Sequence, residues 1–232
     1  FSLYAHKFSH LTPTLLGMAL GAYGITSGFL QAPLGALSDR IGRKPVMIIG
    51  LIIFALGSIV CAHSTSIYGI IAGRALQGAG AIGSTILAAT ADLTREEVRT
   101  KAMAIMGISI GVSFIIAMIL GPILSVKLGI SGIFDITAMC ALLAIVVVWI
   151  KVPNSNKHIF HRDQQIDKKN LKQTLKNTQL LRLDLGIFFL HAILTATFIV
   201  LPLTLTNQLH LSKIAQAWIY APVLILSFFL MV

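Results

Sequence analysis

Charge is what this chain has least of: 11% of its 232 residues are Asp, Glu, Lys or Arg, and only eight are acids. A soluble domain carries about a quarter charged residues, so a mean hydropathy of +0.87 excludes water as the solvent for most of the chain. Cysteine is equally sparse. Cys61 and Cys140 stand in apolar segments with no CxxC spacing and no His partner, which points to small buried hydrophobes and away from a disulfide or a metal site. No HExxH, no Ser/His pair and no paired carboxylates occur at a workable spacing, so an enzyme is not expected. The first residues, FSLYAHKFSHL, have no charged leader ahead of a hydrophobic core and a small-residue cleavage site, so they do not read as a secretory signal. With no initiator Met, both ends read as cuts through a longer protein.

What fills the chain is apolar sequence in lengths that suit a bilayer, whose core takes roughly 20 residues per helix. With turns placed at polar and Pro/Gly points, spans are predicted near residues 13–35, 45–63, 66–91, 100–124, 130–150, 183–206 and from 213 onward. The fold class is all-α, a polytopic membrane protein. Loops 36–44, 92–101 and 151–182 hold fourteen Lys or Arg, against Lys7, Lys127 and Lys213 on the opposite side. That bias places the first group in the cytoplasm. The formal charge of +10 is then largely topological, with anionic lipid headgroups as its counterion and no nucleic-acid partner.

The one extended hydrophilic stretch, 151–182, spaces Lys168, Lys169, Lys172 and Lys176 by about a helical turn and reads as a cytoplasmic linker between two bundles. Ile166, Leu171 and Leu175 give part of it an apolar face suited to the membrane surface; a fully solvated linker is the other reading. Thr12 before Pro13 suits an N-cap and first helical position, and Thr94 with Glu97 is a candidate capping box. Gly17, Gly21, Gly24 and Gly28 fall on one helix face, extended by Gly35, and a second small-residue face runs through Gly107 and Gly111 toward Ala117 and Gly121. Such faces let another helix approach closely, as fixed packing or as a sliding contact.

Between the first two spans lies GALSDRIGRKP, Gly35 to Pro45, read as a tight loop. Gly35 leaves room for a passing helix, and Gly42 supplies backbone freedom for the reversal. Asp39, at the membrane edge, suits the free N–H groups of another helix's N-terminus, where negative charge is favoured by up to about 2 kcal/mol. Arg40, Arg43 and Lys44 offer partners for carboxylates or headgroups.

Gly35, Leu37, Asp39, Arg40, Gly42, Arg43 and Lys44 resemble the loop signature of the major facilitator superfamily. Under that resemblance the loop joins the family's second and third helices. Residues 1–150 then hold helices 2 to 6 of an N-terminal bundle lacking its first helix, 151–182 the linker, and 183–232 helices 7 and 8 of the second bundle. The resemblance further implies that Gly35 permits close approach of a helix from the other half, and that Asp39 and Arg43 belong to an interdomain charge network that breaks during alternating access. RALQGAGA, Arg74 to Ala81, resembles the family's fourth-helix motif. AMILGPILSV, Ala117 to Val126, resembles the fifth-helix motif of its antiporters through Gly121 and Pro122, with Ala117, Ser125 and Val126 where glycines are usual. Pro122 also has a plainer reading as a kink or a helix stop. The three motifs in order, followed by the loop opening DLTREEVRTKAMA at Asp92, resemble the drug:proton antiporter branch.

Arg74 carries physical weight of its own, because a charge in an apolar helix costs about 3 kcal/mol on insertion scales and must face a partner inside the bundle. It is the candidate for proton coupling or for contact with an anionic substrate, with Gln77 beside it; tying down backbone carbonyls or a polar group of the first helix is the structural alternative. Asp135 is the second intramembrane charge. It lies roughly 8 Å from the outer face, against roughly 12 Å for Arg74, so it either pairs with Arg74, titrates during transport, or caps its own helix. His191, in the middle of an apolar span, suits proton sensing or a neutral hydrogen-bonded helix contact. Tyr23 and Gln31, with Thr195 and Asn207, are placed to line a polar pathway.

The reading as a whole is a multi-pass transporter of the bacterial inner membrane, expected to be a monomer and to export small amphipathic or cationic molecules in exchange for protons. No cofactor is expected beyond the proton as coupling ion. An uptake symporter or uniporter, and a non-transporting membrane receptor or scaffold, are the alternatives.

Overall fold

The computed structural model describes residues 12–153 and 176–209, with a few separate positions from 211 to 226. The apolar face expected within 151–182 and most of the span expected from 213 onward fall outside the described residues.

Among the described residues, five helices are long and apolar enough to cross a membrane. Helix α1 runs Pro13–Ile41, opened by Thr12, whose hydroxyl accepts from the N–H of Leu15 at 3.2 Å with Pro13 in the first turn. The predicted cap is therefore in place. The helix does not stop at Gly35, however. No breaker stands between Gly35 and Ile41, the N–H of Gly42 bonds the carbonyl of Ser38 at 3.1 Å, and the chain reverses at Gly42 alone, whose φ of 99° glycine tolerates best. The expected loop is thus two helix ends meeting at one residue, with α2, Arg43–His63, starting at once.

The next expected span, 66–91, is interrupted. Helix α3, Ile67–Ala79, is capped by Ser66, whose hydroxyl accepts from the N–H of Gly69 at 3.2 Å; helix α4 spans Gly83–Leu93. The break has a packing cause. A Cβ on Gly80 would stand 2.5 Å from the N of Phe54, and one on Gly78 would strike the carbonyl of Tyr23 and the hydroxyl of Thr26. At that point the chain tightens, with Gly80 and Ala81 N–H groups bonding the carbonyls of Leu76 and Gly78.

Helix α5 is assigned over Glu96–Lys151, but Gly129, with φ 70° and ψ −172°, divides it into two limbs. These limbs are the expected fourth and fifth spans. Pro122 neither stops nor ends the helix, which continues to Gly129. The Thr94 to Glu97 capping box is not formed: the cap position is Arg95, and the Thr94 hydroxyl donates instead to the carbonyl of Thr90 at 2.6 Å.

Two apolar clusters hold this unit together, one toward each end. Ala19, Cys61, Ala62, Ile67, Ile70 and Phe134 form the outer one; Met47, Ile82 and Ala89, with Val148 against them, form the inner one. Lipid is as apolar as these side chains, so their contribution is close van der Waals contact rather than escape from water. Cys61 is buried as expected, whereas Cys140 is exposed.

The second unit, described by itself, contributes α6, Thr178–Leu209. Asn177 opens it by accepting from the N–H of Gln179 at 3.0 Å. The helix begins earlier than the expected 183 because this cap draws Arg182 and its neighbours into the first turns.

Candidate functional site

Two polar clusters occupy the first unit. At its cytoplasmic end, α1 and α2 meet at Gly42, so Asp39 and Arg43 fall one turn apart across the reversal. Arg43 Nη2 lies 2.5 Å from Asp39 Oδ1, its Nε 2.8 Å from Asp92 Oδ2 on α4, and its Nη1 donates to Ser38 Oγ at 2.5 Å. Ser38 in turn donates to the carbonyl of Gly35 at 2.6 Å. One guanidinium thereby fastens the end of α1, the start of α2 and the end of α4. Its side chain is 13% exposed, against 42% for Asp39 and 34% for Asp92, so the cation is shielded while both carboxylates keep a wet side. Arg40 is exposed. Lys44 donates to the carbonyl of Trp149, 2.7 Å away on the second limb of α5.

Asp39 is thus paired with Arg43 within its own bundle in this conformation, with part of its carboxylate still open to other partners. Gly35 faces Ser84, whose hydroxyl would be 3.7 Å from an added Cβ. Asp92, Ser38 and Trp149 were not singled out by sequence reasoning as site residues. Asp92 alone carried a usable signal, as a carboxylate at the cytoplasmic end of an apolar run in a chain with eight acids.

The second cluster lies within the membrane part of the bundle and is centred on Arg74 of α3. Its Nη1 donates to Gln77 Oε1 at 2.9 Å, and its guanidinium carbon stands 4.7 Å from the centre of the Tyr23 ring on α1. Gln77 is 1% exposed. Its amide donates to Ser58 Oγ at 2.7 Å, and Ser58 donates to the carbonyl of Phe54 at 2.9 Å. This chain of bonds depends on close backbone approach: a Cβ on Gly57 would lie 2.6 Å from the N of Gln77. The predicted proximity of Arg74, Gln77 and Tyr23 is present, and Ser58 joins them.

Asp135 does not reach Arg74. It is exposed on the second limb of α5, several residues past the restart at Gly129, so it is also not a cap. Arg74 is partnered by an amide and an aromatic face; among the described residues only Arg43 makes ion pairs. Gln31 donates to Ser27 Oγ at 2.9 Å while its carbonyl accepts from Ser84 at 2.9 Å, tying α1 to α4. In the second unit, His191 is exposed, with Nδ1 3.0 Å from the carbonyl of Ile187, and shares a shallow groove with Phe188 and Thr195. The side chain of Asn207 lies outside the described residues.

Four of the predicted packing glycines on α1 are unopposed: an added Cβ on Gly17, Gly21, Gly24 or Gly28 would meet nothing within 4 Å, and the same holds for Gly107 and Gly121. These faces are open among the described residues.

Comparison with known proteins gives the same direction. A family model described as Major Facilitator Superfamily matches residues 2–232. The chain is 46% identical over 200 residues to the inner membrane transport protein YajR of Escherichia coli K12, covering 86% of this chain and 44% of that protein. It is 39% identical over 219 residues to an uncharacterized transporter of Buchnera aphidicola subsp. Schizaphis graminum, covering 93% of this chain and 55% of that one. Over 107 residues it is 35% identical to multidrug resistance protein D of Escherichia coli K12, covering 45% of this chain and 27% of that protein. The chain spans about half the length of the first two relatives.

Proposed function

The chain belongs to the Major Facilitator Superfamily, a family of transporters and not of enzymes, and on that premise we propose that it forms part of a proton-coupled exporter working by alternating access. Residues 13–151 would supply helices 2 to 6 of the first bundle and α6 the first helix of the second. A multi-pass position in the bacterial inner membrane accords with the five candidate spans and with the name of the relative YajR.

The observation that carries the reading is the Arg43 cluster. A gate must be held firmly enough to close and weakly enough to open, and partly exposed ion pairs are worth only about 0.2–1 kcal/mol each. Arg43 holds two, plus a hydrogen bond, all within the first bundle, where their rearrangement would release Asp39 for a partner in the other half. Breaking such a set is within reach of substrate and proton binding, whose coupling energies run to about 1–3 kcal/mol. Arg74, Gln77 and Tyr23 lie deeper and supply a cation, an amide and an aromatic face on which a proton-dependent or substrate-dependent rearrangement can act. Likeness to a multidrug resistance protein supports small amphipathic or cationic substrates.

Flux in vesicles containing the full-length protein tests the reading. With an acidic lumen, outward proton flow should drive a cationic dye such as ethidium inward, and reversing the gradient should reverse the dye. Movement of dye in the same direction as protons would mean symport. Equal flux without a gradient would mean uniport.

A further inference from the structure

The C-terminal end of α5 lacks a donor. Trp149 sits four residues before Pro153, and proline has no N–H to complete the i to i+4 bond, so the Trp149 carbonyl needs another partner. Lys44 supplies it from α2 at 2.7 Å, in an exposed hydrogen bond. That bond uses one of the three ammonium hydrogens. Lys44 makes no ion pair among the described residues, and neither does Lys151, which is exposed at the last helical position. Trp149, whose carbonyl Lys44 binds, is itself 69% exposed.

The local field favours an anion. Helix α2 starts at Arg43 with no acid in its first turn and no side-chain cap, so its N-terminal partial charge is unanswered, and it offsets the opposite charge at the C-terminus of α5. Two whole positive charges remain. The nearby carboxylates, Asp39 and Asp92, are both engaged by Arg43. On the membrane side, α2 exposes Ile52 and Leu56 and the second limb of α5 exposes Val146. A basic pair with an amphipathic tryptophan at the edge of apolar helix faces has the chemistry of a headgroup site with room for acyl chains.

We propose that Lys44, Trp149 and Lys151 form a binding site for an anionic phospholipid of the cytoplasmic leaflet, seated where α2 meets the second limb of α5. The phosphate would bridge the two ammonium groups. The acyl chains would lie along the exposed faces of both helices, and Trp149 would mark the interface between headgroup and chain. The site is independent of what the protein transports.

Fluorescence quenching tests it on the full-length protein with Trp149 as its sole tryptophan, Trp218 and any others being replaced by Phe. Reconstituted in mixed vesicles, Trp149 should be quenched by brominated phosphatidylglycerol in preference to brominated phosphatidylcholine by about 25-fold in relative affinity, the product of roughly fivefold for each of the two lysines near an anionic surface. K44Q/K151Q should bring the ratio close to one, K44R/K151R should preserve it, and K127Q, on the opposite side, should leave it unchanged. Added inorganic phosphate should have no effect. Equal quenching by the two lipids in the parent protein would overturn the site, as would a preference that survives in monodisperse K44Q/K151Q, is lost equally in K127Q, or is abolished by inorganic phosphate. If K44Q/K151Q does not assemble, K151Q alone decides, with a drop of several-fold expected and no drop overturning the proposal.

Discussion

Arg43 illustrates how one residue can be half legible. Its pairing with Asp39 follows from an i, i+4 spacing, which the sequence displays directly. Its bond to Asp92 spans 49 positions, and no local pattern encodes it; only the packing of α4 beside the junction of α1 and α2 brings the two together. Because both carboxylates share one guanidinium, their contributions should not add. Asp39→Asn and Asp92→Asn are each expected to lower stability by up to about 1 kcal/mol, and a double-mutant cycle on thermal unfolding should show a coupling of at least about 0.5 kcal/mol. Additivity to within about 0.3 kcal/mol would mean that Arg43 does not join them. The Arg74 cluster divides in the same way. Its link to Gln77 is three residues long and visible, whereas Ser58, 19 residues from Gln77, is placed by the contact of α2 with α3.

Among the elements, the sequence located the apolar spans well and their breaks poorly. Hydropathy follows composition, so it sees that residues 66–91 are uncharged. It cannot see that Gly78 and Gly80 are pressed against backbone of α1 and α2, where the helix yields. It likewise overread Gly35 to Pro45 as a loop, since Gly, Ser and Asp are turn formers that a helix accommodates when nothing forces it to stop. Gly50, Gly57 and Gly73, where α2 meets the chain from α3 to α4, belong to no motif in the sequence, yet they have measurable consequences. Gly57→Ala would place a methyl 2.6 Å from the N of Gln77 and 2.7 Å from the carbonyl of Gly73. Both are backbone atoms, so the helices must separate, with a cost of about 1–3 kcal/mol. The melting temperature of the purified protein should fall by several degrees, and an unchanged value would show that the helices do not meet at Gly57.

At the scale of the whole molecule, the informative glycines are those that touch nothing. Gly17, Gly21, Gly24 and Gly28 line one face of α1, and an added Cβ at any of them would be unopposed. A small-residue face has value only where another helix approaches, and the relatives are about twice the length of the chain, so on the proposed reading a helix of the other half is the partner to test. This gives opposite expectations from those at Gly57. Gly21→Leu should leave the unfolding of the first bundle unchanged within about 0.5 kcal/mol, as for other surface substitutions away from special features. On the alternating-access reading proposed above, the same side chain would stand between two halves that come together in one state of the cycle and part in another. Flux in vesicles should therefore fall by at least about tenfold, which corresponds to biasing the two states by about 1.4 kcal/mol. Gly21→Ala, adding one methyl, should be intermediate. Full flux in Gly21→Leu at normal expression would show that the open face meets lipid instead, and would separate the close approach of helices from the charge cluster at Arg43 as the basis of gating.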